Sequence, residues 1–320
     1  MRLMIGVVSN ALVPIFAIIG LGVITGRRGL IKKDGLQPLN TLLMDFALPA
    51  AMFAGISRAS RTALLSHGPY LAVLCAGMLL LWTVSFRIQR QFSNGSRGDA
   101  ALVATTVALP NYAAVGIPLA STLFGQSGTV AVSLAIGAGA VLLSPLTLIL
   151  LDLDRTARDG GTGPLRSVLA AAAVRTSCSP VILAPLAAIL LVLLDIRLPE
   201  PLQHVFDLFG RAAGGIALFL TGLFLSARRP RFSVGIGVSI MLADIVHPLL
   251  SAVLAALLGL HGNVGRSAIL FTALPSGFFG IFFAVRYGRE ASEAASVVAF
   301  GTVVSLLTLS LAIVLTAPGG

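Results

Sequence analysis

Charge is scarce in this sequence: 11% of its 320 residues are Asp, Glu, Lys or Arg. A soluble domain carries about 25%, so the chain lacks the usual means of staying in water, and no long polar segment remains to form a soluble domain. Stacking rings are also few. Three tyrosines and one tryptophan accompany a net charge of +10, which argues against a nucleic-acid surface. The basic residues fall in short loops between apolar runs, where lipid headgroups and membrane topology account for them. The two cysteines, Cys75 and Cys178, lie inside apolar runs without metal-ligand spacing and read as small buried hydrophobes. His-Glu-x-x-His, paired-aspartate and glycine-framed serine motifs are missing, and so is the Gly-x-x-x-x-Gly-Lys-Ser/Thr phosphate loop. These absences argue against an integral membrane enzyme and an ATP-driven pump, and no cofactor or metal is expected.

What is present is hydrophobicity: 57% of the residues, with a mean hydropathy of +0.98. Apolar stretches of the length that spans a bilayer recur along the whole chain. The expected fold class is an all-α integral membrane protein with ten transmembrane helices, at 5–26, 36–56, 69–88, 100–122, 129–151, 172–194, 205–226, 233–259, 265–287 and 293–316. Arg2 and the run after it lack a small-x-small cleavage site, and Pro14 interrupts the run, so it reads as the first span rather than a signal peptide. The longest polar linker, Asp152 to Pro164 with Gly160, Gly161 and Gly163, divides the spans five and five. The expected organisation is a first repeat over 1–151, a cytoplasmic linker over 152–165 and a second repeat over 166–320.

Lys and Arg sort by side. Sixteen (Arg27, Arg28, Lys32, Lys33, Arg87, Arg90, Arg97, Arg155, Arg158, Arg166, Arg175, Arg228, Arg229, Arg231, Arg286, Arg289) lie on one side of such a bundle. Six (Arg2, Arg58, Arg61, Arg197, Arg211, Arg266) lie on the other. The positive-inside rule then puts both termini outside the cytoplasm of a multi-pass inner-membrane protein.

The halves carry a weak internal repeat. Pro14 matches Pro180, and Pro49-Ala50-Ala51-Met52-Phe53 matches Gly215-Ile216-Ala217-Leu218-Phe219, both at an offset of 166 residues. Val107 to Asn111 matches Thr272 to Ser276 at an offset of 165. Five spans per repeat is an odd number, so the second copy must enter the membrane inverted, the plan of many secondary transporters.

The two matched prolines, Pro110 and Pro275, fall near the middle of spans 4 and 9. Each lacks an N–H and clashes with the carbonyl four residues back, Thr106 or Phe271. Broken helices survive in lipid where they face protein or a water-filled cavity. Asn111 and Ser276 follow the breaks, and Gly116, Gly277 and Gly280 flank them, so unpaired backbone and close approach to a ligand are expected there. The N-termini of the following half-helices favour an anionic group such as a carboxylate. The bland alternative is a pair of kinked, packed helices, the reading given to Pro145, Pro185 and Pro248. The expected substrate-binding set is Pro110, Asn111, Gly116, Pro275, Ser276 and Gly277.

Ionisable residues inside spans are costly and carry functional hypotheses. Asp45 lies mid-span four residues before Pro49, and Asp244 lies mid-span three residues before His247, on one helix face. Asp244, His247 and Asp45 are candidates for proton coupling, and a structural pair across a helix interface is the alternative. Asp207 and Arg211, one turn apart, read as an interfacial ion pair.

The run Ala108 to Leu119, together with Asn40 to Phe53 and Ala273 to Gly277, resembles the auxin efflux carrier family, whose members include plant auxin exporters and bacterial carriers of malonate and related acids. The resemblance implies a scaffold domain of spans 1, 2, 6 and 7 and a transport domain of spans 3–5 and 8–10, with crossed, proline-broken spans 4 and 9. It also implies a homodimer through the scaffold, elevator-type alternating access, and Pro110, Asn111 and Pro275 lining the site of a small organic anion. The related sodium–bile acid carriers place an acidic residue by the second crossover, where this chain has Ser276 and Gly277. Sodium- or proton-coupled symport, a non-transporting receptor and a membrane enzyme remain the alternatives. Membrane lipid is an expected partner and nucleic acid is not.

Overall fold

The structure, a computed structural model, describes residues 2–32, 35–92, 96–158, 166, 169, 170, 173, 174, 177–227 and 231–316, with side chains from residue 13 onward and none at 227. The linker glycines and the basic loop residues Lys33, Arg175, Arg228 and Arg229 lie outside the described residues. Among the described residues the chain forms helices and turns with no strand. The helices are α1 (Arg2–Arg27), α2 (Leu36–Thr41), α3 (Leu48–Ser57), α4 (Arg61–Ser66), α5 (Gly68–Phe92), α6 (Arg97–Ala108) and α7 (Ile117–Arg158). They continue as α8 (Pro180–Leu193), α9 (Glu200–Ala227), α10 (Val234–Met241), α11 (His247–Leu257), α12 (Gly262–Thr272), α13 (Phe279–Arg286) and α14 (Ser292–Thr316).

Among the described residues, six helical runs are long and apolar enough to cross a bilayer: 36–57, 68–92, 112–157, 200–226, 234–257 and 292–316; α1 counts only from Val13, where its described side chains begin. The difference from the ten expected spans has local causes. The expected spans 100–122 and 265–287 are each cut in two, because α6 stops at Ala108 and α12 at Thr272. The helix from Ile117 to Arg158 turns a corner at Gly125, whose φ of 62° and ψ of −144° suit glycine alone, and so joins the end of one expected span to the next. α8 starts at Pro180, a proline in the first turn, eight residues later than the expected span. Cys178 therefore sits exposed in the turn before α8 instead of inside a span, while Cys75 is half-buried in α5.

Side chains sort by neighbour rather than by polarity, as they must where the surroundings are lipid. α14 buries Val298, Gly301, Thr302, Ser305, Leu309 and Ala312, and exposes Val303, Leu307, Leu311 and Leu315 at helical spacing. A stripe of exposed leucine would be a liability in water; in a bilayer it meets acyl chains.

Among the described residues three π-helical turns interrupt the α-helices, at Leu42–Ala47, Tyr112–Gly116 and Leu242–Val246. In each, the residue after the turn donates its N–H five residues back: Leu48 to Leu43, Ile117 to Tyr112 and His247 to Leu242. The sequence cause is shared. A proline follows that residue directly (Pro49, Pro118, Pro248). It lacks an N–H and pushes away the carbonyl four residues back, so the helix opens by one residue to make room. Such turns concentrate at functional sites.

α1 lies along α9, and α3 packs on α8 and α9. A Cβ on Gly22 would lie 2.2 Å from the Phe219 carbonyl oxygen, and one on Gly222 would lie 2.1 Å from that of Ile19. Farther along, Gly26 faces Ser226. Contacts that advance together on both chains make α1 and α9 parallel, packed backbone to backbone through small residues. On the other side α5 packs on α6, α7 and α11, and α13 packs on α6 and α2.

Candidate functional site

The helix ending at Ala108 passes through Leu109 (φ −114°, ψ 94°) and Pro110 before the chain turns helical again at Tyr112. The second break runs from Ala273 to Phe278. The two breaks are bonded to each other. Pro110 and Ser276 form an antiparallel bridge, Asn111 N–H donates to the Pro275 carbonyl at 2.8 Å, and Gly277 N–H donates to the Thr106 carbonyl at 3.1 Å. Thr106 is the residue whose carbonyl Pro110 displaces, so the partner break caps it. The sequence led to an expectation of unpaired backbone left for a ligand; here that carbonyl goes to Gly277, because an orphaned polar group is costly away from water.

The approach needs glycine. A Cβ at Gly277 would lie 2.0 Å from the Leu109 carbonyl oxygen, and one at Gly280 would lie 2.1 Å from that of Leu102. These two glycines admit the close approach of backbone. Gly116 packs against Leu274 and Val132.

Beside the crossing lies a cavity of about 20 Å³, lined by Leu43, Leu48, Pro110, Asn111, Tyr112, Ala113, Ile136, Ala217, Phe278, Phe279 and Phe282. That is room for about one water. Of the six residues expected to bind substrate, Pro110 and Asn111 line it; Gly116, Pro275, Ser276 and Gly277 do not. Asn111 is 5% exposed. Its Oδ1 accepts from Ala114 N–H at 3.2 Å, capping the half-helix, and its amide nitrogen makes no hydrogen bond to a described residue. Both half-helices begin at this wall, one at Tyr112 and the other at Phe279, so two helix N-termini converge on one space. Among the described residues no acidic or basic side chain lines it. The sequence gave no sign of the aromatic wall of Phe278, Phe279 and Phe282, since phenylalanine in an apolar run carries no positional signal.

A profile of membrane transport proteins matches residues 7–313 of this chain. The chain belongs to that family, the family of the auxin efflux carriers. Across 300 residues it is 30% identical to the uncharacterized transporter YfdV of Escherichia coli K12, covering 92% of this chain and 94% of that one. A putative malonate transporter of Rhizobium meliloti is 24% identical over 309 residues, 95% of this chain and 94% of its own. Auxin efflux carrier component 5 of Arabidopsis thaliana is 32% identical over 117 residues, 36% of this chain and 33% of its own. Family and relatives are transporters, not enzymes.

In this transporter the ionisable candidates separate sharply. Asp45 is not isolated in mid-span: Arg286 donates to its Oδ1 at 3.1 Å, and 28% of its side chain is exposed. One turn away on both partners, Asn40 donates to the Phe282 carbonyl at 3.1 Å, so two polar contacts fasten α13 to the span of α2 and α3. Asp207 pairs with Arg58, across from α3, rather than with Arg211 on its own helix. Asp244 and His247 are both buried, and among the described residues neither carboxylate oxygen and neither ring nitrogen has a hydrogen-bond partner.

A cluster that the sequence reading missed gathers at the end of the bundle bearing Arg97 and Arg155. Arg289, with 9% of its side chain exposed, donates to Asp99 (2.7 Å), to Ser96 (2.9 Å) and to Asp154. Burial works against its charge, but the hydrogen bonds to Asp154 and Asp99 outweigh that and hold the guanidinium above its ordinary pKa. The cluster joins the ends of α6 and α7 to the turn before α14. Its residues lie far apart in the sequence, and no local motif announces them.

Proposed function

We propose that this protein is a secondary carrier of a small organic anion in the inner membrane, working by elevator-type alternating access. One observation carries the reading: two half-helix N-termini open onto a single cavity that holds no competing charge. A carboxylate there gains roughly 0.3–1 kcal/mol from each exposed helix end and up to about 2 kcal/mol in a partly buried geometry. The free amide of Asn111 supplies a directed donor. With no Lys or Arg on the wall, the two ends satisfy one carboxylate, and the phenylalanines and leucines meet an apolar body. Malonate and auxin, named for relatives of this chain, mark the chemical range to test.

The proposed frame has ten spans in two inverted five-helix repeats, with both termini outside. The parallel course of α1 and α9 supports it, since spans 1 and 7 of such a plan point the same way. Spans 1, 2, 6 and 7 form the scaffold and the dimer surface; spans 3–5 and 8–10 form the moving part. The cavity lies on the boundary between them, with Leu43, Leu48 and Ala217 on one side and Asn111 and Phe278 on the other. A volume of about 20 Å³ is too small for an organic acid, so the parts must separate before substrate enters.

The test is flux of radiolabelled malonate and of an arylacetate into proteoliposomes. Asn111→Ala is expected to abolish substrate-dependent flux while the protein stays folded and keeps its oligomeric state. Flux at the wild-type rate in that variant would remove the crossing from the mechanism.

A further inference from the structure

Span 8 carries a row of buried polar groups that no described residue satisfies. Asp244 (1% exposed), His247 and Ser251 lie on α11 and the π-helical turn before it. Both carboxylate oxygens of Asp244, both ring nitrogens of His247 and the Ser251 hydroxyl lack hydrogen-bond partners. Ser276, at the second helix break and 1% exposed, has an equally unpartnered hydroxyl. Buried polar atoms in native proteins are bonded as a rule, and each exception calls for an unseen partner or a function.

Gly301 of α14 shows where the partner fits. A Cβ built on it would lie 3.5 Å from Ser276 Oγ, 3.6 Å from Asp244 Oδ2 and 3.8 Å from Ile240 Cγ1. The absent side chain thus leaves a methyl-sized niche with an unpartnered oxygen on two sides. A second niche follows along the same span: a Cβ on Gly77 of α5 would meet Ser251 Oγ at 3.6 Å and His247 Nε2 at 3.7 Å.

We propose that the niche between the Asp244 carboxylate and the Ser276 hydroxyl, beside Gly301, is a monovalent-cation site that takes a proton or a sodium ion. A charged carboxylate in apolar surroundings needs a counter-charge, and among the described residues no side chain supplies one. The π-helical turn of Asp244 packs against α14 and α6 and continues into α10 and α11, which pack on α5. The ionisable groups of these elements are Glu293 on α14, Arg97 and Asp99 on α6, Tyr70, Cys75, Arg87 and Arg90 on α5, and His247 beside it. None is bonded or ion-paired to Asp244. A cation held between the carboxylate and Ser276 changes the local charge from −1 to zero, and Ser276 directly follows Pro275, whose carbonyl holds Asn111. Occupancy is thereby tied to the geometry of the crossing. Asp45 has no part in this, because Arg286 already neutralises it. Coupling of this site to transport rests on the carrier reading; cation binding does not.

The test uses the full-length purified protein in sodium chloride and in choline chloride at equal ionic strength, from mildly acid to mildly alkaline pH. It reads the melting midpoint and the infrared C=O stretch of a protonated carboxyl. A proton site gives a carboxyl band that disappears with rising pH, is indifferent to sodium and is missing in Asp244→Asn. A sodium site gives a band that sodium bleaches, and a melting midpoint that sodium raises in the wild type but not in Asp244→Asn. Gly301→Ala, whose methyl meets its neighbours at ordinary contact distance, fills the niche and weakens either response at least tenfold in cation concentration. Identical spectra and midpoints in wild type and Asp244→Asn overturn the proposal. If Asn111→Ala loses flux while Asp244→Asn keeps both wild-type flux and its pH profile, the carrier stands and the coupling falls. If the cation responses hold but no organic acid is transported, the site stands and the carrier reading falls.

Discussion

Glycine carries different loads at different positions of this protein, and the geometry separates them. Gly277 lies where a methyl would come within 2.0 Å of the Leu109 carbonyl oxygen and 3.1 Å of that of Pro110. Backbone bonded to backbone cannot swing aside as a side chain does. Gly277→Ala is therefore expected to push the two breaks apart, weakening the Thr106 and Pro275 hydrogen bonds and destabilising the protein by about 1–3 kcal/mol. The check is the melting midpoint of the purified variant beside that of Gly301→Ala, where the methyl meets nothing closer than 3.5 Å. Equal midpoints for the two would mean that the crossing is looser than its hydrogen bonds imply.

The element that sets this protein apart from a plain helical bundle is the π-helical turn ahead of a proline, used three times. Opening the helix by one residue turns everything on its N-terminal side by about 100° relative to a continuous α-helix. In span 8 that rotation helps to fix where Asp244 points. Pro248→Ala restores an N–H to residue 248 and removes the ring that displaces the Asp244 carbonyl. The turn is expected to close into α-helix, with a gain of about 1 kcal/mol from the recovered hydrogen bond and loss of transport because Asp244 swings away from Ser276. A structure of the variant decides it: a π-helical turn that survives the substitution would show that packing, not the proline, imposes it.

For the whole molecule the question is what must separate. Asn40 and Asp45, in the proposed scaffold, hold Phe282 and Arg286, in the proposed moving part, beside a cavity of about the size of a water. In the proposed cycle these two contacts break each time the moving part travels. With Cys75 and Cys178 replaced by alanine, Asp45→Cys and Arg286→Cys joined by a short bis-methanethiosulfonate, which forms a disulfide to each thiol with loss of sulfinate, should stop flux, and dithiothreitol, by reducing those disulfides, should restore it. Flux that continues through the cross-link would mean that the two bodies do not part along this seam. The Arg289 cluster, by contrast, ties α6 and α7 to the turn before α14, all inside the proposed moving part, and stays closed throughout.

The sequence by itself determined the membrane, the approximate position of the helical runs and the two breaks. Each of these follows from local chemistry: apolar length, and prolines that remove an N–H and displace a known carbonyl. Tertiary structure alone decided that the Thr106 carbonyl is capped by Gly277, since the donor comes from the other half of the chain. It also decided the fates of Asp45 and Asp244. Both stand mid-span, four residues before a proline inside a π-helical turn, and local sequence cannot tell them apart. Arg286 reaches one from a distant helix and no described charged side chain reaches the other, because the identity of an ion's neighbours is a property of packing rather than of the segment that carries the ion.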